Sequence, residues 1–115
     1  MADKRIVWKG SSLTDLKDPK IFTASARDEM GIQLREVQRG LDPQHWKPFA
    51  EVGAGTRELI VDEPDGWYRA LYVAKFAEAV YVLHCFKKKT NATTKHDKNV
   101  AKQRYQDVLF ERSKS

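Results

Sequence analysis

Cysteine is almost absent from this sequence, acidic surplus is missing, and no long apolar run occurs. Cys85 is the single cysteine among 115 residues, so no intramolecular disulfide staples the chain. It lies inside an apolar stretch, where a small buried hydrophobe is expected rather than an activated nucleophile. The N-terminal MADKRIVWKGSS has no apolar signal core, and no segment approaches bilayer-spanning length. These absences predict a cytoplasmic protein without membrane contact. His45, His84 and His96 are far apart, and no acidic residues recur at metal-ligand spacing, so neither a metal nor another cofactor is expected. Gly53 and Gly55 in VGAGT make no phosphate loop, because no GK[ST] follows. A nucleophile elbow is also lacking.

What remains is an ordinary globular composition with an uneven positive charge. The chain is 41% hydrophobic and long enough for one domain spanning residues 1–115 with a real core. Net charge is +5, and the segment from Lys87 to Ser115 holds nine Lys/Arg against three carboxylates. The last quarter therefore carries the whole surplus, a distribution that suits nucleic acid or another polyanion.

The central stretch is AVYVLHCFKKKT, Ala79 to Thr90. Its apolar and β-branched residues predict a buried strand over Val80 to Phe86. Strand alternation then aims Lys87, Lys88 and Lys89 to different sides of its end. Upstream, Arg5 to Lys9 is a short β-prone run stopped by Gly10. Ser11 or Ser12 caps a helix, with Asp15 in its first turn. Asp18-Pro19 breaks and restarts it. The spacing of Ile21, Phe22, Ala26, Met30, Leu34 and Val37 predicts an amphipathic helix ending near Gly40. Gly31, in its middle, costs about 1 kcal/mol of helix propensity and suggests close approach of another element. LDPQHWKPF, Leu41 to Phe49, reads as a turn and one short helical turn begun at Asp42-Pro43.

Two more strands follow, Arg57 to Asp62 and Trp67 to Ala74, joined by the turn Glu63 to Gly66. With Val80 to Phe86 they make an antiparallel meander. Thr90 to Thr94 forms a polar loop that caps a last helix, Asp97 to Arg112. The expected class is α+β, a single domain with helices against one face of an antiparallel sheet.

Arg69 within WYRALYV is a cation in an apolar strand, which needs a partner or a polar concavity. The meander is expected to gather Arg57, Arg69 and Lys87 to Lys89 on one side of the sheet. Convergent cations without a metal suit RNA cleavage by the adjacent 2′-hydroxyl. Fixed guanidinium and ammonium groups stabilise the charge growing on phosphorus and on the departing oxygen. A lysine among cations also loses pKa and can move a proton nearer neutrality. An ion-paired surface that binds RNA or protein without reacting stays open.

A set of short motifs resembles a known family. They are W-K-G-S-S-x-x-D-L (Trp8 to Leu16), G-x-Q-L-x-x-V-Q-x-G (Gly31 to Gly40), W-K-P (Trp46 to Pro48) and V-G-x-G-x-x-E-L (Val52 to Leu59). Y-R-x-x-Y-V-A-x-F (Tyr68 to Phe76) and Y-V-L-H-x-F-x-K-K-T (Tyr81 to Thr90) complete it. Together they resemble the phage-derived RelE/HigB-like toxins of the RelE/ParE superfamily, from type II toxin–antitoxin systems. The resemblance implies a RelE-like fold with two N-terminal helices and a C-terminal helix on an antiparallel sheet. It implies a ribosome-dependent, metal-independent mRNA interferase, neutralised by a cognate helix-turn-helix antitoxin. Arg69 matches the family's phosphate-stabilising arginine, Lys87 or Lys88 the basic residue ending the last strand, and Arg57 a basic residue on the first meander strand. His96 and Tyr105 are the candidates for a stacking or proton-transfer group. Lys89, Lys95, Lys98, Lys102 and Arg104 are then the RNA footprint. A ParE-like gyrase inhibitor and a non-catalytic basic module are the alternatives.

Overall fold

Eight elements form where the periodicities change. The structure, a computed structural model, describes residues 3–90 and 92–114. In chain order they are β1 (Arg5–Trp8), α1 (Ser12–Lys17), α2 (Ala24–Gln38), β2 (Trp46–Pro48), β3 (Thr56–Glu63), β4 (Gly66–Val73), β5 (Ala79–Lys88) and α3 (Lys95–Ser113). The strands make one sheet in the order β1-β5-β4-β3-β2. β3, β4 and β5 are the expected antiparallel meander, and β2 adds antiparallel to β3. β1 lies parallel to β5, so the sheet is mixed. This α+β arrangement is consistent with a RelE-like fold. Among the described residues no helix is long and apolar enough to cross a membrane.

The helices divide between the two faces of the sheet rather than sharing one. Leu16 of α1 and Ala26, Met30, Leu34 and Val37 of α2 pack with Leu59, Tyr68, Ala70 and Tyr72. Ala101, Tyr105 and Val108 of α3 cover the other face, against Leu71, Val73 and Leu83. An interior strand of such a sheet is buried on both sides, which explains the unbroken apolar run of β5. The pairing of β4 with β5 slips where Leu71 faces His84 and Tyr72 faces Val82. Leu83 is the extra residue of this bulge, and the alternation of β5 reverses phase there.

Three local expectations fail for visible reasons. α2 starts at Ala24, because Thr23 supplies the cap by accepting from the Ala26 N–H at 3.1 Å. Asp18 instead closes a turn, its carbonyl accepting from the N–H groups of Ile21 and Phe22. Trp46 to Pro48 is an edge strand and not a helical turn, a place where proline is tolerated. A side chain at Gly31 would meet nothing within 4 Å, so no close approach explains that glycine. The close approach is at Gly53, where an added Cβ would collide with the Tyr105 ring. The cap expected from the Thr90 to Thr94 loop comes from Thr94, which accepts from the Asp97 N–H; Asn91 in that loop lies outside the described residues.

Candidate functional site

The α3-facing side of the sheet changes character along its length. Near the chain's last helix it is apolar; toward the β3–β4 turn it becomes ionic. Cross-strand pairing aligns Glu58 with Leu71 and His84, Ile60 with Arg69 and Phe86, and Asp62 with Trp67 and Lys88. Directly opposed residues point the same way, so Glu58, Arg69 and Lys88 share this face.

Glu58 is the centre of the cluster and is fully buried. Its carboxylate lies 3.2 Å from Lys88 Nζ, 3.4 Å from Lys47 Nζ and 3.5 Å from Arg69 Nε. Thr93 Oγ1 donates to the same carboxylate at 3.1 Å. Arg69 also donates from Nη1 to Asp62 Oδ1 and to the Tyr68 carbonyl, both at 3.3 Å. The Arg69 and Lys88 side chains are only 4% and 2% exposed. Arg69 Nε is buried and makes no hydrogen bond, its ion-pair partner Glu58 lying 3.5 Å away. Burial pushes the Lys88 pKa down, with Glu58 opposing. At the lip, Trp67 is 36% exposed and pairs across the strands with Lys88. A buried, ion-paired arginine, a lysine of lowered pKa and an open indole are therefore neighbours. Such a set can take a phosphate, move a proton and stack a base.

The other expected residues are distributed differently. Lys87 points to the opposite face, 3.0 Å from Asp65 and over the Tyr68 ring. Asp65 holds its pKa above the usual lysine range. Arg57 is also on that opposite face, paired with Asp42 at 2.9 Å and lying 4.0 Å above the Trp46 ring. The expected gathering of Arg57, Arg69 and all three lysines on one side is thus corrected: Arg69 meets Lys88, while Arg57 and Lys87 face away. His96 is exposed in the first turn of α3, three residues from Thr93, without a hydrogen bond or ion pair among the described residues.

Lys89 and Lys95 are exposed. Lys98 and Lys102 both approach Glu51, at 3.3 and 3.8 Å. Arg104 turns inward, donating to the Leu83 carbonyl and to Ser11 Oγ, each at 3.0 Å. Tyr105 is buried and donates to the Ala54 carbonyl at 2.7 Å, so it packs the core rather than reaching a ligand.

No sequence motif marks Glu58 as the hub of these contacts. Lys47 and Thr93 were also missed, because each reaches Glu58 from an irregular or edge segment. Among the described residues no group of three His, Cys, Asp or Glu could hold a metal ion.

Comparison with known proteins supports the phage-derived part of the motif resemblance. The family model described as phage derived protein Gp49-like (DUF891) matches residues 18–106. The chain belongs to the phage-derived Gp49-like family. The matched span runs from the α1–α2 turn into α3 and contains every residue of the Glu58 cluster. No curated protein and no solved structure matches.

Proposed function

We propose that this Gp49-like protein is the toxin of a type II toxin–antitoxin pair, acting as a ribosome-dependent mRNA interferase. Membership of a family known for such toxins supports the first part. The observation that carries the second is the buried pair of Arg69 and Lys88, one with a donor that makes no hydrogen bond and the other with a lowered pKa.

In this reading the 2′-oxygen of the substrate attacks the adjacent phosphorus and the bond to the 5′-oxygen breaks. The products are a 2′,3′-cyclic phosphate and a 5′-hydroxyl. Arg69 stabilises the negative charge on the pentavalent phosphorus, and Lys88 gives its proton to the leaving oxygen. Trp67 stacks a base at the lip, and His96 is the candidate to take the 2′-hydroxyl proton. Lys89 and Lys95 contact RNA phosphates. A helix-turn-helix antitoxin neutralises the protein in the cytoplasm, where its ribosomal target lies.

The test is inducible expression in bacteria, wild type beside Arg69→Ala and Lys88→Ala, with mapping of new mRNA 5′ ends. Fresh cuts inside translated messages, lost in both variants, are expected. The burial of Arg69 and Lys88 around Glu58 favours a second reading, a non-catalytic binding module in which the cluster only holds the sheet. Normal growth would favour that module, and growth arrest with intact messages and DNA damage would favour gyrase inhibition.

A further inference from the structure

A separate cavity sits at the other edge of the sheet, around the outer side of β5. β1 ends opposite Val82, so β5 has no strand partner on this edge from Leu83 onward. The space left there has a volume of about 350 Å³ and is lined by Ile21, His84 and Phe86, with Lys20 and Lys89 among its walls. That volume falls within the range of small-molecule sites.

The lining also includes Asp15, Asp97 and Lys87, and His84 is the buried polar group of this cavity. The side chain is buried and stacks on Phe86, with ring centroids 4.8 Å apart. Nε2 lies 2.7 Å from Asp97 Oδ1. The other oxygen of Asp97 accepts from Thr94 Oγ1 at 2.7 Å, which fixes the carboxylate at the start of α3. Burial keeps the imidazole pKa below its ordinary value despite Asp97. A neutral ring that donates Nε2–H to Asp97 leaves Nδ1 as a bare acceptor. Nδ1 is buried and has no partner. A buried acceptor without a donor is costly unless something supplies one.

The charges around the cavity are equally selective. Asp97 is engaged as described, and the neighbouring Asp15 accepts from Ser11 Oγ at 2.8 Å. Lys20 and Lys89 are exposed and make no ion pair with the described residues. The cavity therefore offers an apolar wall, one buried acceptor and two uncommitted cations, beside the already engaged Asp15, Asp97 and Lys87.

We propose that this cavity is a nucleotide subsite. A base lies against Ile21 and Phe86 and donates an N–H to His84 Nδ1, while its phosphate rests on Lys20 and Lys89. The subsite rests on the RNA reading above only for the source of its nucleotide; the recognition chemistry is the same for a strand or a free mononucleotide. Lys89 follows Lys88 directly, so a strand reaching the Arg69 centre has this subsite at the same end of β5.

The experiment is histidine nitrogen NMR on the purified wild-type chain, titrated with the four ribonucleoside 5′-monophosphates, a single-stranded hexaribonucleotide, ribose 5-phosphate and inorganic phosphate. At least one nucleotide is expected to shift His84 Nδ1 saturably. The surface double variant Lys20→Ala, Lys89→Ala is expected to weaken that binding by about tenfold. Tighter binding of the hexamer than of any mononucleotide would identify RNA as the source; equal binding would identify free nucleotide. A His84 resonance unmoved by every nucleotide, or binding by ribose 5-phosphate and phosphate equal to that of the nucleotides, would overturn the subsite. Message cleavage with an unmoved His84 would leave the nuclease standing and the subsite wrong. A shifted His84 without message cleavage would do the reverse.

Discussion

Lys87 and Lys88 are neighbours in sequence and opposites in physical setting. Lys87 lies on the α2 side in partial contact with solvent, where Asp65 raises its pKa. Lys88 lies on the α3 side, nearly inaccessible, where burial lowers its pKa against the pull of Glu58. Both have a carboxylate within about hydrogen-bonding range, so the partner alone does not set the outcome. Desolvation does: an exposed ammonium keeps its hydration and gains a counter-ion, whereas a buried one has given up water first. The comparison makes Lys88, not Lys87, the lysine whose pKa burial lowers.

The largest effect expected from this contrast is at Glu58. Glu58→Ala leaves Arg69 and Lys88 as buried cations without their common partner, and stability should fall by about 3–5 kcal/mol. Urea denaturation measures it, and adding Lys88→Met to Glu58→Ala should restore part of the loss. Next comes chemistry. Arg69→Ala and Lys88→Ala should each reduce cleavage by roughly 100-fold or more, while Lys87→Ala keeps it at the wild-type level. Lys88→Arg sharpens the point, because a guanidinium holds charge but does not release a proton. Cleavage retained by Lys88→Arg would reduce Lys88 to an electrostatic role.

A pH effect extends the same burial argument to His84 on the Lys88 side. Its folded pKa is depressed below the ordinary 6.5, so between those two values the unfolded chain binds more protons. Its contribution to stability is therefore fully present above 6.5 and is lost as pH falls through the folded pKa. The urea midpoint should drop between about pH 7.5 and about pH 5, and His84→Phe should flatten that drop. Glu78, held at about 2 by Arg112, stays ionised throughout and does not obscure it. The smallest effect is the stability of Lys87→Ala. Its urea midpoint should match wild type, because an exposed pair with Asp65 loses little. A clear destabilisation there would break the comparison.

Much of this architecture was legible in the sequence. The meander, its EPDG turn and the apolar spacings of α2 and α3 follow from patterns that burial imposes, and Arg69 announced itself as a charge among apolar neighbours. The lysine beside Arg69 did not. Plain alternation from Val80 and Val82 would put Lys88 beside α2, on the wrong side for Arg69. The extra residue Leu83 reverses that phase, and nothing in LHCF marks a bulge. Likewise Asp42-Pro43 and Pro48 look like helix punctuation, whereas an open edge of β3 captured Trp46 to Pro48 as a strand. Such choices depend on which surface is left over after the larger elements have packed.

Arg104 has a consequence in the timing of synthesis. It ties α3 to the β5 carbonyl of Leu83 and to Ser11 beside α1, and Gly10 leaves the room it occupies. One apolar cluster of the core is completed only by Ala101, Tyr105 and Val108. A nascent chain that has emerged as far as β5 can pair β1 with it, yet has an uncovered sheet face and lacks the Arg104 tie to Ser11. The cluster around Glu58 waits as well, since Thr93 is positioned by the same last segment. The fold is complete only after α3 has left the ribosome that made it, so an unfinished copy carries Arg69 and Lys88 without their assembled setting.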